Sequence, residues 1–332
     1  MAGHPWPTMT WATAAPEVVD PDALDVLVDA AFDRNPNPRF EQTLGLLVAH
    51  HGRIVVERYA EPFHARKPFL SWSCAKSFTH ALVGLLVIDG LVDIDDPIPV
   101  PEWPAGDPRA ALTWRNLLEM RSGLEFVEVY EEGVESQVIE MLFKSGASDV
   151  GHYAASLPLR HDIDTVFNYS SGTTNIICRA AAQILGDVSV ESYMDERLFE
   201  PIGIDDPDLR FDEAGTWIGS SYLYLPARHF ARFGELYLHD GVWDGRRILP
   251  EGWAAEAGTM TSQDTDDPMA YGSHWWVLGD DHGSYVARGY EGQAIIVVPA
   301  LDLVICRFGK TVGDKTELFA WYHELVACFA DT

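Results

Sequence analysis

Ser73 and Lys76 lie three positions apart in Ser73-Cys74-Ala75-Lys76, at the head of a long apolar stretch. On a helix, positions i and i+3 share one face. An amine held there can take the proton of the hydroxyl, so the two side chains can work as nucleophile and base. The spacing alone is weak evidence, because 17 Ser and 5 Lys in 332 positions give about 0.26 such pairs by chance, roughly one shuffled chain in four. Lysine is nevertheless scarce: Lys67, Lys76, Lys144, Lys310 and Lys315 stand against eighteen Arg. A second group is centred on Tyr169, in Phe167-Asn168-Tyr169-Ser170-Ser171-Gly172. There a phenol and serines sit on a glycine-containing turn before a helix, placed to relay a proton to a leaving group. The bland reading of that group is a helix cap with a packing tyrosine. A third group is Ala287-Arg288-Gly289-Tyr290-Glu291-Gly292-Gln293 on a late strand edge. Its glycines let backbone approach a ligand, and an exposed amide there can hydrogen-bond an oxyanion. Read blandly, it is a bulge or hairpin turn.

The elements that must position these groups follow from periodicity. Leu44 to Ala49 and Ile54 to Tyr59, joined by His51-Gly52-Arg53, read as a β-hairpin. Ser73 to Asp89 reads as an amphipathic-to-buried helix with Phe78, Leu82, Leu85 and Leu86 on a common side. Further helices are expected over 113–120, with Thr113 as cap, and over 134–143, 150–156, 174–185, 189–198 and 227–238. The texture then changes to strands: Gly272 to Leu278, Tyr285 to Gly289, Gln293 to Val298 and Leu303 to Phe308, with a closing helix from Glu317 to Ala330. Strands at both ends and helices between them predict an α+β fold, an α/β sandwich. One antiparallel sheet comes from the N- and C-terminal segments with flanking helices, and a mostly helical lobe is inserted. The expected organisation is a single catalytic domain over 1–332, with an α/β lobe at about 20–65 and 270–332 and a helical lobe at about 66–269.

Composition excludes several classes. The chain is 47% hydrophobic, enough for a large core, and its net charge of −28 repels nucleic acid and anionic membranes. No apolar run approaches the ~18 residues of a membrane span, and no basic segment precedes one near the N-terminus, so neither a membrane helix nor a secretory signal is expected. Cys74, Cys178, Cys306 and Cys328 form no CxxC pair, which fits a reduced, cytoplasmic setting. No H-E-x-x-H occurs and the twelve histidines show no ligand spacing, so no metal and no cofactor is expected. No serine lies in G-x-S-x-G, against an α/β-hydrolase elbow. Asp93-Ile94-Asp95-Asp96 lacks the glycine of a calcium loop, and Gly309-Lys310-Thr311 lacks the first glycine of a phosphate loop.

Together the three groups resemble the serine β-lactamase and penicillin-binding-protein superfamily, in its class-C-like branch of family VIII esterases and the 6-aminohexanoate-dimer hydrolase type. Ser73 and Lys76 match its S-x-x-K, and Tyr169 with Ser171 matches its Y-x-S. Leu112 to Leu118, Arg121-Ser122-Gly123-Leu124, Asp240 to Pro250 and Gly289 to Pro299 are similar too, so the likeness spans roughly residues 40–330. The third motif departs: no K-T-G occurs, and Ala287-Arg288-Gly289 or Tyr290-Glu291-Gly292 stands in its place. By this resemblance Ser73 is the nucleophile of an acyl-enzyme, Lys76 and Tyr169 form a coupled base and acid, and the amides of Ser73 and Tyr290 bind the oxyanion. Tyr130 falls where relatives place an aromatic that touches substrate, and Arg288 is a candidate replacement for the lost lysine. The expected activity is hydrolysis of a small-molecule ester or linear amide, with a homodimer left open. The alternatives are a catalytically silent acylatable sensor, and β-lactamase or D-Ala-D-Ala peptidase activity.

Overall fold

The computed structural model describes residues 4–33, 40–130, 133–263, 267 and 269–330. An amphipathic helix α1 (Pro21–Phe32), capped by the Asp20 carboxylate on the Ala23 amide, precedes the hairpin β1 (Gln42–His50) and β2 (Arg53–Tyr59). Helices α2 (Ala75–Ile88), α3 (Ser171–Leu185) and α4 (Ala227–Leu238) occupy the middle of the chain. Strands β3 (Tyr285–Gly289), β4 (Gln293–Val298) and β5 (Leu303–Lys310) then lead to α5 (Thr316–Ala327). β5 pairs antiparallel with β1, from Leu303 opposite His50 to Lys310 opposite Gln42, so the two ends of the chain share one sheet. Among the described residues that sheet has nine strands, in the order Ala12–Thr13, β2, β1, β5, β4, β3, Trp276–Val277, Ala270–Tyr271, Ser262–Gln263. The pairings are antiparallel except that of Ala12–Thr13 with β2.

Two-residue alternation divides the core into two layers. Leu46, Val48, Ile296, Val298, Leu303 and Ile305 face α1 and α5, where they meet Leu24, Val28, Leu318, Trp321 and Leu325. Leu47, Ala49, Ile295, Val297, Val304 and Cys306 face α2, α4 and the helices of the inserted segment. Each fully buried Leu or Ile contributes about 1.5–3 kcal/mol, so both faces of the sheet must stay covered.

Helix α2 falls at the buried end of the amphipathic-to-buried reading. Every residue from Ala75 to Leu86 is buried, because the helix runs between the sheet and the helical segment. Its polar residues are paired: Ser77 Oγ donates to the His274 carbonyl (2.8 Å), Thr79 Oγ1 to that of Gly219 (3.2 Å), and His80 Nδ1 meets the Tyr237 hydroxyl (2.8 Å). Of the stretch expected as one strand over Gly272 to Leu278, only Trp276–Val277 is strand, and it pairs antiparallel with Ala270–Tyr271 just before that stretch. Gly272 and the left-handed His274 (φ +54°) make the chain turn back there.

Candidate active site

Ser73 lies in a single 3₁₀ turn, Trp72–Cys74, that runs into α2. The preceding Trp72 holds φ +45°, a costly conformation for a bulky residue that aims the following turn at the end of β3. Gly289, the last residue of β3, is needed at that contact: a Cβ there would collide with the Ser71 carbonyl oxygen. Cys74 turns away from the site and into the core, its Sγ 3.4 Å from the Ala287 carbonyl.

Lys76 is 1% exposed. Its Nζ lies 3.1 Å from Ser73 Oγ, 2.9 Å from Ser171 Oγ and 3.0 Å from the Ser220 carbonyl, three contacts for the three N–H bonds of an ammonium. Ser171 donates its own hydroxyl proton to Glu128 Oε1 (2.6 Å), while its backbone N–H donates to Glu128 Oε2 (2.7 Å). The arrangement is therefore directional. When Lys76 is neutral and needs a donor, the Ser220 carbonyl has no proton and the Ser171 proton is committed to Glu128. Of these three partners, Ser73 is the one left to supply it.

Electrostatics bring that state within reach. Burial pulls the Lys76 ammonium down to about 8, against the opposing pull of the Glu128 carboxylate. At pH 7 about one amine in ten is then neutral. The Tyr169 ring lies over the amine, with Nζ 4.8 Å from the ring centroid. Burial, helped by Glu128, raises the Tyr169 phenol, and its hydrogen bond with Ser73 opposes that only in part. The phenol is therefore neutral wherever Lys76 titrates, and can donate a proton. Ser170, between the tyrosine and Ser171, caps α3 by accepting from the Thr173 amide (3.1 Å). The cap and the site thus share one turn.

Glu128 had no place in the sequence reading. It arrives on the loop after Leu124, which Asn168 Nδ2 holds through the carbonyls of Leu124 (3.3 Å) and Phe126 (3.0 Å). Tyr130 donates to the same carboxylate (3.0 Å). The available signal was the i, i+2 spacing of Glu128 and Tyr130, which puts both on one side of an extended segment.

A cavity of about 210 Å³ opens on Ser73, with Tyr130, Tyr169, Trp276, Arg288, Tyr290 and Phe319 in its walls. Tyr290 sits between Trp72 (5.5 Å, edge-on) and Tyr130 (5.2 Å). Of the two adjacent tryptophans, Trp276 faces the cavity while Trp275 is in the core. Arg288 reaches the cavity already engaged: Nη1 pairs with Asp267 at 2.7 Å, and the guanidinium lies over Trp276 (4.5 Å) and Phe319 (4.7 Å). The second cation in the wall is Lys315, which precedes α5 and was not singled out from sequence. Burial and the neighbouring Arg288 lower its pKa.

The chain is 25% identical over 307 residues to the 6-aminohexanoate-dimer hydrolase of Paenarthrobacter ureafaciens, an alignment covering 86% of this chain and 78% of that one. A Bacillus anthracis structure assigned provisionally as a 6-aminohexanoate-dimer hydrolase superposes with TM-score 0.80 at 21% identity, covering 96% of this chain and 87% of its own. A family VIII carboxylesterase superposes with TM-score 0.68 at 15% identity, over 94% and 99% of the two chains. The Beta-lactamase family model matches residues 32–328. On that match, and on the fold those structures share with it, the chain belongs to the Beta-lactamase family.

Proposed function

We propose that the protein is a serine hydrolase that forms an acyl-enzyme with small esters or linear amides. The observation that carries this reading is the buried Lys76 amine 3.1 Å from Ser73 Oγ, in a network that leaves Ser73 as its proton donor. Ser73 Oγ attacks the substrate carbonyl as its proton passes to Lys76. The backbone amides of Ser73 and Tyr290 stabilise the oxyanion, in the manner of preorganised donors worth about 10²–10³ in kcat. Tyr169, neutral and directed at Ser73, passes a proton to the leaving alkoxide or amine and is reprotonated from the Lys76 ammonium, which leaves Lys76 neutral again. Water then attacks the acyl carbonyl by the reverse route. Glu128 touches no substrate in this scheme. It is a positioning residue, holding the Ser171 hydroxyl as an acceptor toward Lys76.

The cavity limits the acyl group. About 210 Å³ is below the ~300–1,000 Å³ of drug-sized sites, and six of its fifteen lining residues are aromatic. A short or linear acyl chain fits, and Lys315 at the wall supplies a charge for a distal carboxylate. The carboxylesterase and 6-aminohexanoate-dimer hydrolase names of the related proteins support this substrate range. The test is fluorophosphonate labelling followed by turnover of a p-nitrophenyl short-chain ester. Wild-type protein labels at Ser73 and turns the ester over, while Ser73→Ala does neither and keeps its thermal midpoint. Activity surviving in Ser73→Ala refutes the proposal, and labelling without turnover identifies an acylatable sensor instead.

A further inference from the structure

Away from the candidate active site, three side chains converge beside the C-terminal end of α4. Glu235 lies in the last turn of α4 and His239 caps that helix, at i and i+4 on one face. His4 comes from the N-terminal segment. Their ligand atoms lie within 4.8 Å of one another. Glu235 Oε2 is 3.6 Å from His4 Nε2 and 3.4 Å from His239 Nε2. The Glu235 side chain is 0% exposed and the two imidazoles 9% and 11%.

These distances are too long for good hydrogen bonds. Neither oxygen of Glu235, nor Nε2 of either histidine, has a hydrogen-bond partner among the described residues. A wholly buried carboxylate with neither oxygen hydrogen-bonded is costly, and it is aimed at two imidazole nitrogens that make no hydrogen bond either. The separations suit another arrangement. Two bonds of about 2.0–2.1 Å at a tetrahedral angle put their donor atoms about 3.3 Å apart. The C-terminal end of a twelve-residue helix adds a field that favours a cation.

The surroundings are shaped to hold the third ligand. A Cβ on Gly52, in the β1–β2 turn, would stand 2.6 Å from Cε1 and 2.7 Å from Nε2 of His4. Glycine thus leaves the room that the ring fills. Trp6 packs edge-on against both imidazoles, at 4.4 and 4.9 Å. The N-terminal segment runs antiparallel along α4. Trp11 Nε1 donates to the Arg228 carbonyl (3.1 Å), and Arg232 Nε donates to that of Pro7 (2.8 Å). His4 follows at the level of Glu235 and His239.

We propose that His4, Glu235 and His239 bind one Zn²⁺ ion, with solvent in the fourth position, and that the ion clamps the N-terminal strap to α4. Two imidazoles and a carboxylate are a zinc donor set, and the edges of the two histidines give an ion access. The site is separate from Ser73, so its test does not involve hydrolysis.

The full chain, stripped with chelator and dialysed, is titrated with ZnCl₂ by calorimetry and with Co²⁺ by visible absorption. One Zn²⁺ binds per chain, Co²⁺ shows the strong d–d bands of a four-coordinate site, and the thermal midpoint rises by roughly 4 °C at free Zn²⁺ about 100 times Kd. His4→Ala, His239→Ala and Glu235→Gln each weaken binding by about 100-fold or more. His229→Ala, on the same helix but paired with Asp205 at 3.0 Å, binds as wild type. His4→Ala carries the test if the buried Glu235→Gln does not fold, since it alters the strap alone. Wild-type protein that binds no Zn²⁺ overturns the proposal, as does His4→Ala protein that binds it as tightly as wild type.

Discussion

Replacing Glu128 by Gln isolates the electrostatics on which the proposed chemistry depends. Hydrogen bonds of 2.9 and 2.6 Å sharing the Ser171 hydroxyl place the carboxylate oxygen about 4.5 Å from Lys76 Nζ, where a unit charge pair is worth about 2–4 kcal/mol at an effective dielectric of 20–40. The sign is fixed by the charge. A carboxylate favours the ammonium and holds the Lys76 pKa up, so its removal lets burial pull the amine further down. The Ser171 hydroxyl, released from its strongest acceptor, can then donate to the neutral amine, which acts in the same direction. At about 1.4 kcal/mol per pKa unit the change is about 1.4–2.9 units. Since attack requires neutral Lys76, the acid limb of the pH–rate profile, with its midpoint at about 8 in the wild type, moves to about 6. The assay is the second-order rate of fluorophosphonate labelling from pH 5 to 10, which needs no knowledge of the natural substrate. A midpoint that stays put, or moves upward, refutes the assignment of Lys76 as the base restrained by Glu128.

Three further outcomes are expected. Lys76→Met puts an apolar chain in place of a buried amine; labelling falls by about 10²–10⁴-fold while the protein stays folded by circular dichroism, and a rate within threefold of wild type removes Lys76 from the mechanism. Gly289→Ala drives a methyl against the Ser71 carbonyl, costing about 1–3 kcal/mol of stability by overpacking; ester turnover at 20 °C falls about 10²-fold or more if the end of β3 carries an oxyanion donor, so wild-type rates in the folded variant argue against the Tyr290 amide. Lys315→Ala raises KM about tenfold for an ester whose acyl chain ends in a carboxylate and leaves a neutral ester unchanged, and equal effects on both assign Lys315 a packing role.

Much of this molecule was open to a reader of the chain alone, and the reasons are local. The spans of β3 and β4, the cap of Thr113 on the Asn116 amide, and α4 from Ala227 to Leu238 follow from period, turn residues and capping chemistry within a few positions. Ser73 and Lys76 were legible for the same reason, since one helical turn brings i and i+3 together whatever surrounds them. The order of strands and helices was enough to anticipate one sheet shared by the two ends of the chain.

Burial and convergence are the properties that sequence does not carry. The apolar stretch pointed to a buried α2, but only the packed structure shows that the Lys76 amine itself loses its water, which is what lowers the ammonium. Ser220, 144 residues from Lys76, and Glu128, 43 before Ser171, join the network by folding and not by spacing. Lys315 reaches the cavity because α5 packs over the end of the sheet, where no K-T-G motif would direct attention. His4, Glu235 and His239 show the same limit, since 231 residues separate the first two and only the strap along α4 unites them. Sequence by itself determined the local elements and the pair one turn apart, because those interactions are short-range. Tertiary structure decided which groups lose water and which distant ones meet, because desolvation and long-range contact exist only once the chain has closed on itself.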